Sequence, residues 1–190
     1  RPLAARRMPS SVALAWATLL SVAGIGLLAW QVNALTAWLT LGSLIGYALV
    51  YTAFLKHATP QNIVIGGVAG AAPPLLGWTA VTGQLGPEPL LLMLISFAWT
   101  PPHFWALALH KREEYARAGV PMLPVTHGEA FTRLQVWLYG WLTVAVTLLP
   151  FAIGMSGAVY LVGVTVLNAR FMWWNFRVWR GHDPRAPLAA

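Results

Sequence analysis

The chain has 190 residues, of which 58% are hydrophobic and only 9% charged, with a formal net charge of +7 and no cysteine. So much apolar surface exceeds what one soluble core of this length can bury, so the chain reads as an all-α, multi-pass transmembrane helical bundle with membrane lipid as its solvent. Its Lys and Arg residues are scattered between apolar runs, which argues against nucleic acid as a partner, and the lack of cysteine excludes disulfides, thiolate metal sites and a cysteine nucleophile.

A hydrocarbon core of about 30 Å takes about 20 apolar residues per helix. The chain opens Arg1-Pro2-Leu3 without an initiator Met or a cleavable signal, and it reads as a fragment. Six apolar runs follow: Ser11 to Gln31, Ala34 to Leu55, Asn62 to Thr82, Pro89 to His110, Leu134 to Met155 and Gly157 to Trp179. Arg1, Arg6 and Arg7 precede the first run and Lys56 follows the second. Lys111, Arg112, Arg117 and Arg133 follow the fourth, and Arg177, Arg180 and Arg185 close the sixth. The alternate connections, around Asn33, Glu88 and Ser156, carry no Lys or Arg. Because short basic loops stay on the cytoplasmic side, six crossings with both ends cytoplasmic account for the alternation.

The connection after the second run reads Lys56-His57-Ala58-Thr59-Pro60-Gln61-Asn62. Thr59 suits an N-cap and Pro60 a first helical position, so the free N–H groups of the third helix point where Lys56 stands, an arrangement that holds an anion such as a diphosphate. From spacing alone, Lys56 is equally a topology anchor and Thr-Pro a plain helix start. Within the third run, Gly66 and Gly70 are spaced for close helix contact, and Pro73-Pro74 break the helix, freeing carbonyls that need protein or a wet cavity.

The fourth run carries Trp99-Thr100-Pro101-Pro102-His103-Phe104-Trp105, with a second Pro-Pro break just before an intramembrane histidine. His103 suits ligation of heme iron, orientation of a substrate or movement of a proton; the plainer reading is that its ring bonds a carbonyl freed by Pro102. Trp99 and Trp105 flank it, with aromatic faces suited to an allylic cation and equally to a membrane interface.

After it, Lys111-Arg112-Glu113-Glu114-Tyr115-Ala116-Arg117-Ala118-Gly119 reads as a short helix stopped by glycine, with Val120 to Val125 extended. Glu113 and Glu114 are hard oxygen ligands suited to Mg²⁺, while the i, i+4 spacing of Glu113 and Arg117 also fits a solvated ion pair.

Three strings, Lys-His-Ala-Thr-Pro-Gln-Asn-Ile-Val-Ile-Gly-Gly from Lys56, Trp-Thr-Pro-Pro-His-Phe-Trp-Ala-Leu-Ala from Trp99 and Glu-Tyr-Ala-Arg-Ala-Gly-Val-Pro-Met-Leu-Pro-Val from Glu114, closely resemble the heme O synthase (protoheme IX farnesyltransferase) family of the UbiA superfamily of intramembrane prenyltransferases. The resemblance runs from Arg1 to about Arg180. It implies one prenyltransferase domain, residues 1–190, truncated at both ends. The six helices would belong to a nine-helix bundle, without the upstream Asp-rich motif and the last helix, and the fragment alone would be inactive.

The implied reaction transfers a farnesyl group from farnesyl diphosphate to a vinyl group of protoheme IX. Mg²⁺ is its cofactor, heme is substrate rather than cofactor, and the downstream heme A synthase is a candidate partner. On this resemblance Lys56, His103 and Lys111 are the catalytic candidates. His57, Gln61, Asn62, Trp99, Arg112, Tyr115 and Arg117 are candidates for substrate, with Arg112 and Arg117 set against heme propionates by their charge. Glu113 and Glu114 are the candidate metal ligands, although superfamily members acting on other acceptors have spaced aspartates there. The implied location is a bacterial plasma membrane, or alternatively the mitochondrial inner membrane. Two alternatives share the fold: a UbiA-type enzyme for a quinone precursor, which would show those aspartates, and a non-catalytic heme or lipid carrier, which would need no Mg²⁺.

Overall fold

A computed structural model describes residues 9–55 and 58–181. Helix α1 spans Ser10–Gln31 and α2 Ala34–Ile45. The second crossing then continues without interruption as a π-helix over Gly46–Leu55, where the Thr52 hydroxyl donates to the Tyr47 carbonyl five residues back at 2.8 Å. Asn33 explains the tight turn between α1 and α2. Its side chain accepts from the Thr36 N–H at 2.8 Å, capping α2, and donates to the Thr79 carbonyl at 2.8 Å.

The third crossing is two helices, α3 (Asn62–Gly70) and α4 (Pro73–Thr82), and the break falls where Pro73-Pro74 remove N–H donors. Ala72 bridges it by donating to the Ala69 carbonyl at 3.3 Å. Gly83, at φ +67°, ends α4 in the left-handed region that glycine adopts without strain. Of the two glycines expected to make a close helix contact, Gly66 does, under the Tyr51 ring of the second crossing, and its neighbour Gly67 adds another. Gly67 is the buried one, and a Cβ there would lie 3.2 Å from Thr100 of the next helix, whereas Gly70 faces open space.

Helix α5 spans Pro87–His110 and stays continuous through Pro101-Pro102, so the second expected break does not form. After it come α6 (Arg112–Arg117) and α7 (Leu123–Thr126). The segment expected to be extended thus contains a helical turn, because Pro124 fits a first turn and the turn buries Leu123 and Pro124. Helix α8 spans Gly128–Ala152, six residues earlier than the apolar run, since its first turns carry Glu129 and Arg133, which a reading by hydropathy leaves out. Helix α9 spans Ala158–Arg180 and ends at Gly181.

Among the described residues five helices are long and apolar enough to cross a membrane, and the protein is an integral membrane bundle. The sixth, α9, is long enough at 23 residues but carries Asn168, Arg170 and Asn175 in its middle. The interior lies between α5, α8 and α9. Trp105, Leu123, Val136 and Val178 form one buried cluster and Leu91, Ala98 and Val146 a second, while α1 buries no residue.

Candidate functional site

A proline removes the hydrogen bond its N–H would give to the carbonyl four residues earlier. For Pro102 that carbonyl belongs to Ala98, which is fully buried. Thr143 of α8 fills the gap, its hydroxyl donating to the Ala98 oxygen at 3.0 Å and sharing itself with Tyr139 O at 2.8 Å. The donor that satisfies the Ala98 carbonyl is therefore Thr143, and the expectation that His103 bonds this carbonyl is overturned.

His103 instead lies half-buried against Trp99, with ring centroids 4.4 Å apart and planes 17° from parallel, and Phe104 meets it edge-on at 5.5 Å. Among the described residues its ring nitrogens have no hydrogen-bond partner. Trp105 points the other way, into the interior, where it meets Tyr139 edge-on at 5.2 Å. Its indole N–H has no partner among the described residues.

Beyond His110 a polar groove of about 490 Å³ is lined by Lys111, Arg112, Glu113, Glu114, Arg117 and Glu129. Lys111 Nζ stands 3.8 Å from Glu114, and Glu129 is bridged by Arg112 at 3.3 Å and Arg133 at 2.9 Å. The expected Glu113–Arg117 ion pair is replaced by a weaker contact, Arg117 Nε donating to the Glu113 carbonyl at 3.4 Å. All the lining charged groups are solvent-accessible, so their pairings add little stability and leave them available to a ligand.

No three His, Asp or Glu side chains converge among the described residues. Glu113 and Glu114 therefore do not form an all-protein cage. They fit a Mg²⁺ that takes one or two carboxylates and draws its remaining ligands from phosphate and water, and the Glu113 carboxylate is in no ion pair among the described residues.

Lys56 and His57 lie outside the described residues. Beside them, Thr59 Oγ1 accepts from the Gln61 N–H at 3.2 Å, and α3 starts at Asn62, two residues later than the sequence suggests. Gln61 is exposed, whereas Asn62 is 1% exposed and turned inward.

A second cavity, about 470 Å³ and almost wholly apolar, lies between the second and third crossings, against the Pro-Pro break. Its wall on the second crossing runs from Trp38 and Gly42 of α2 into the π-helical half, where Tyr47, Tyr51 and Leu55 line it. Tyr47 and Tyr51 stack at 5.2 Å. The Tyr51 ring sits over Gly66, where a Cβ would come within 2.5 Å of it.

Three features escape a reading by apolar runs. Thr143 was findable, since Pro102 leaves the Ala98 carbonyl in need of a donor from a neighbouring helix. The seating of Tyr51 on Gly66 has no signal in either residue alone. Arg170 was visible as a charge inside the sixth run, and it does not fit the alternation of basic loops.

The UbiA prenyltransferase family matches residues 1–190. Among curated relatives, a "Protoheme IX farnesyltransferase" of Marinobacter nauticus is 62% identical over 188 residues, covering 99% of this chain and 62% of the relative. Similar proteins of the same name from Ectopseudomonas mendocina and Hahella chejuensis are 61% and 60% identical, each with 99% of this chain and 63% of the relative covered. The chain thus spans a little under two thirds of the length of the relatives it matches. No solved structure matches it.

Proposed function

The chain belongs to the UbiA prenyltransferase family, and from that premise we propose that it is the central part of an enzyme that transfers a farnesyl group from farnesyl diphosphate to a vinyl group of protoheme IX, giving heme O. The observation that carries this reading is the pair of cavities of opposite character, one apolar against the break in the third crossing and one charged at the end of α5. An isoprenoid diphosphate has the same division, an apolar chain ending in an anion. The apolar cavity, at about 470 Å³, has the size of a small-molecule site and takes the chain.

In the proposed reaction the allylic carbon–oxygen bond breaks and its electron pair leaves on the diphosphate. Lys111, joined by Lys56, stabilises that charge, and Arg112 and Arg117 contact the substrates' anionic groups. Mg²⁺, held by Glu113 or Glu114 together with phosphate oxygens, supplies further neutralisation when bound. Gln61, exposed beside the start of α3, and Tyr115 of α6 contact the substrates, Asn62 supports that end of α3 from inside, and His57 is assigned a substrate contact by the family resemblance alone. Trp99 presents its indole face to the allylic cation. The vinyl π electrons form the new carbon–carbon bond, water adds at the carbon left positive, and an unengaged ring nitrogen of His103 accepts the proton released.

The reading places the protein in a bacterial plasma membrane with the basic connections on the cytoplasmic side, passing its product to heme A synthase. Membranes carrying the enzyme, given protoheme and farnesyl diphosphate with and without Mg²⁺, test it by mass analysis of extracted heme. Hydroxyethylfarnesyl heme formed only with Mg²⁺ is the expected result. Unmodified heme from folded protein would overturn the reading.

A further inference from the structure

Arg170 is out of place for a lipid-facing helix. It lies 12 residues into α9, about 18 Å from the start of the helix and about 15 Å from its end, yet its side chain is exposed. Among the described residues no hydrogen bond or ion pair engages its guanidinium. A charge at that depth faces a wet cavity or an anionic partner rather than lipid.

The residues that share its face name the partner's chemistry. At i+3 and i+7 from Arg170 stand Trp173 and Arg177, so all three lie on one stripe about 10 Å long. Trp173 is 54% exposed and meets Trp174 at 4.9 Å, and the Arg177 guanidinium lies 4.9 Å from each of those two rings. The stripe offers one exposed indole, Trp173, with Arg170 one turn before it and Arg177 over its ring, while Trp174 stands at 69° to it. It complements a flat aromatic ligand that carries carboxylates, and it does not complement an isoprenoid, which has neither feature.

We propose that this face of α9 binds the porphyrin acceptor, with Arg170 holding a propionate carboxylate and Trp173 lying against the ring. The identity of the ligand rests on the prenyl-transfer reading above. The carboxylate contact is the specific part, because guanidinium and carboxylate match in a bidentate geometry that an ammonium group reproduces only partly.

The test is a titration of the detergent-solubilised full chain with iron-free protoporphyrin IX and with its dimethyl ester, read by porphyrin fluorescence, so that neither turnover nor iron ligation enters. The wild type is expected to prefer the diacid by about tenfold or more, the difference one good charged contact makes. Arg170→Gln is expected to abolish that preference with little change in ester binding, and Arg170→Lys to retain part of it. Should the Gln variant fail to fold, a reduced preference in the Lys variant supports the site and an unchanged one overturns it. An absence of preference in the wild type overturns the proposal, as does a preference lost in Arg112→Gln and kept in Arg170→Gln. A diacid preference that depends on Arg170, in an enzyme that forms no farnesylated heme, would instead sink the prenyl-transfer reading and leave a porphyrin site.

Discussion

The hydroxyl of Thr143 reaches across from α8 to the carbonyl of Ala98, 3.0 Å away, and supplies the hydrogen bond that Pro102 removes from α5. Thr143→Val keeps the shape and deletes the donor, leaving a buried carbonyl unpaired in an apolar interior. Such a loss costs about 1–3 kcal/mol in water-soluble proteins, and polar contacts between membrane helices average about 0.6 kcal/mol. A fall in unfolding stability of about 1 kcal/mol is therefore expected in detergent, with Thr143→Ser close to wild type. Equal stability of the Val and Ser variants would show that α5 does not depend on this bond.

The same bond frees His103 from structural duty, which separates its two possible roles. With its ring nitrogens unpartnered among the described residues and only its ring contacts with Trp99 and Phe104 to lose, His103→Ala should change stability by no more than about 1 kcal/mol. Loss of a positioned proton acceptor lowers rate by about 10²–10⁴-fold. Product formation should fall by that order while the unfolding midpoint stays near wild type. A variant that loses stability and activity in parallel would return His103 to the packing.

Helix α8 packs closely against α9 at Gly140. A Cβ there would lie 2.5 Å from the Asn175 amide nitrogen and 3.1 Å from the Met172 sulfur, and Asn175 is fully buried. Gly140→Ala must push α9 away or displace the Asn175 amide, and overpacking of this kind costs about 1–3 kcal/mol. Gly163→Ala, on the open side of α9 where a Cβ meets nothing, should be neutral and is the matched control. The comparison is read in thermal unfolding of the two variants, and a neutral Gly140→Ala would mean that the two helices separate freely.

The elements that could be read from sequence are those set by composition over a whole crossing. The apolar runs and the Pro73-Pro74 break are of this kind, because hydropathy and missing donors act locally. The π-helical half of the second crossing was not legible, since Gly46–Leu55 is as apolar as any α-helical stretch and the extra residue per turn is fixed by what it packs on. The continuity of α5 was misread for the opposite reason. Pro101-Pro102 state the local preference correctly, and a residue more than forty positions away overrides it. At the polar groove the residue types were legible and their pairings were not. Arg112 lies 17 residues from its carboxylate partner Glu129, and that pairing depends on the path of the intervening connection through α6 and α7.

Gly66 offers the sharpest test of the apolar cavity, because its missing side chain is the seat of Tyr51. A Cβ at this position would stand 2.5, 2.7 and 2.9 Å from three carbons of the Tyr51 ring, closer than packed atoms come. The ring must move in Gly66→Ala. Tyr47 is stacked on it at 5.2 Å, and the open direction is the cavity that both tyrosines line. The variant should therefore lose room for the isoprenoid chain before it loses the fold. KM for farnesyl diphosphate is expected to rise by about tenfold or more, the range that a few misplaced methylene contacts produce, with KM for protoheme unchanged. Gly66→Ala combined with Tyr51→Leu, which removes the displaced ring, should recover most of the loss. A Gly66→Ala enzyme with wild-type KM for farnesyl diphosphate would mean that the chain lies elsewhere, and an unrescued double variant would trace the defect to the backbone of α3 rather than to the ring.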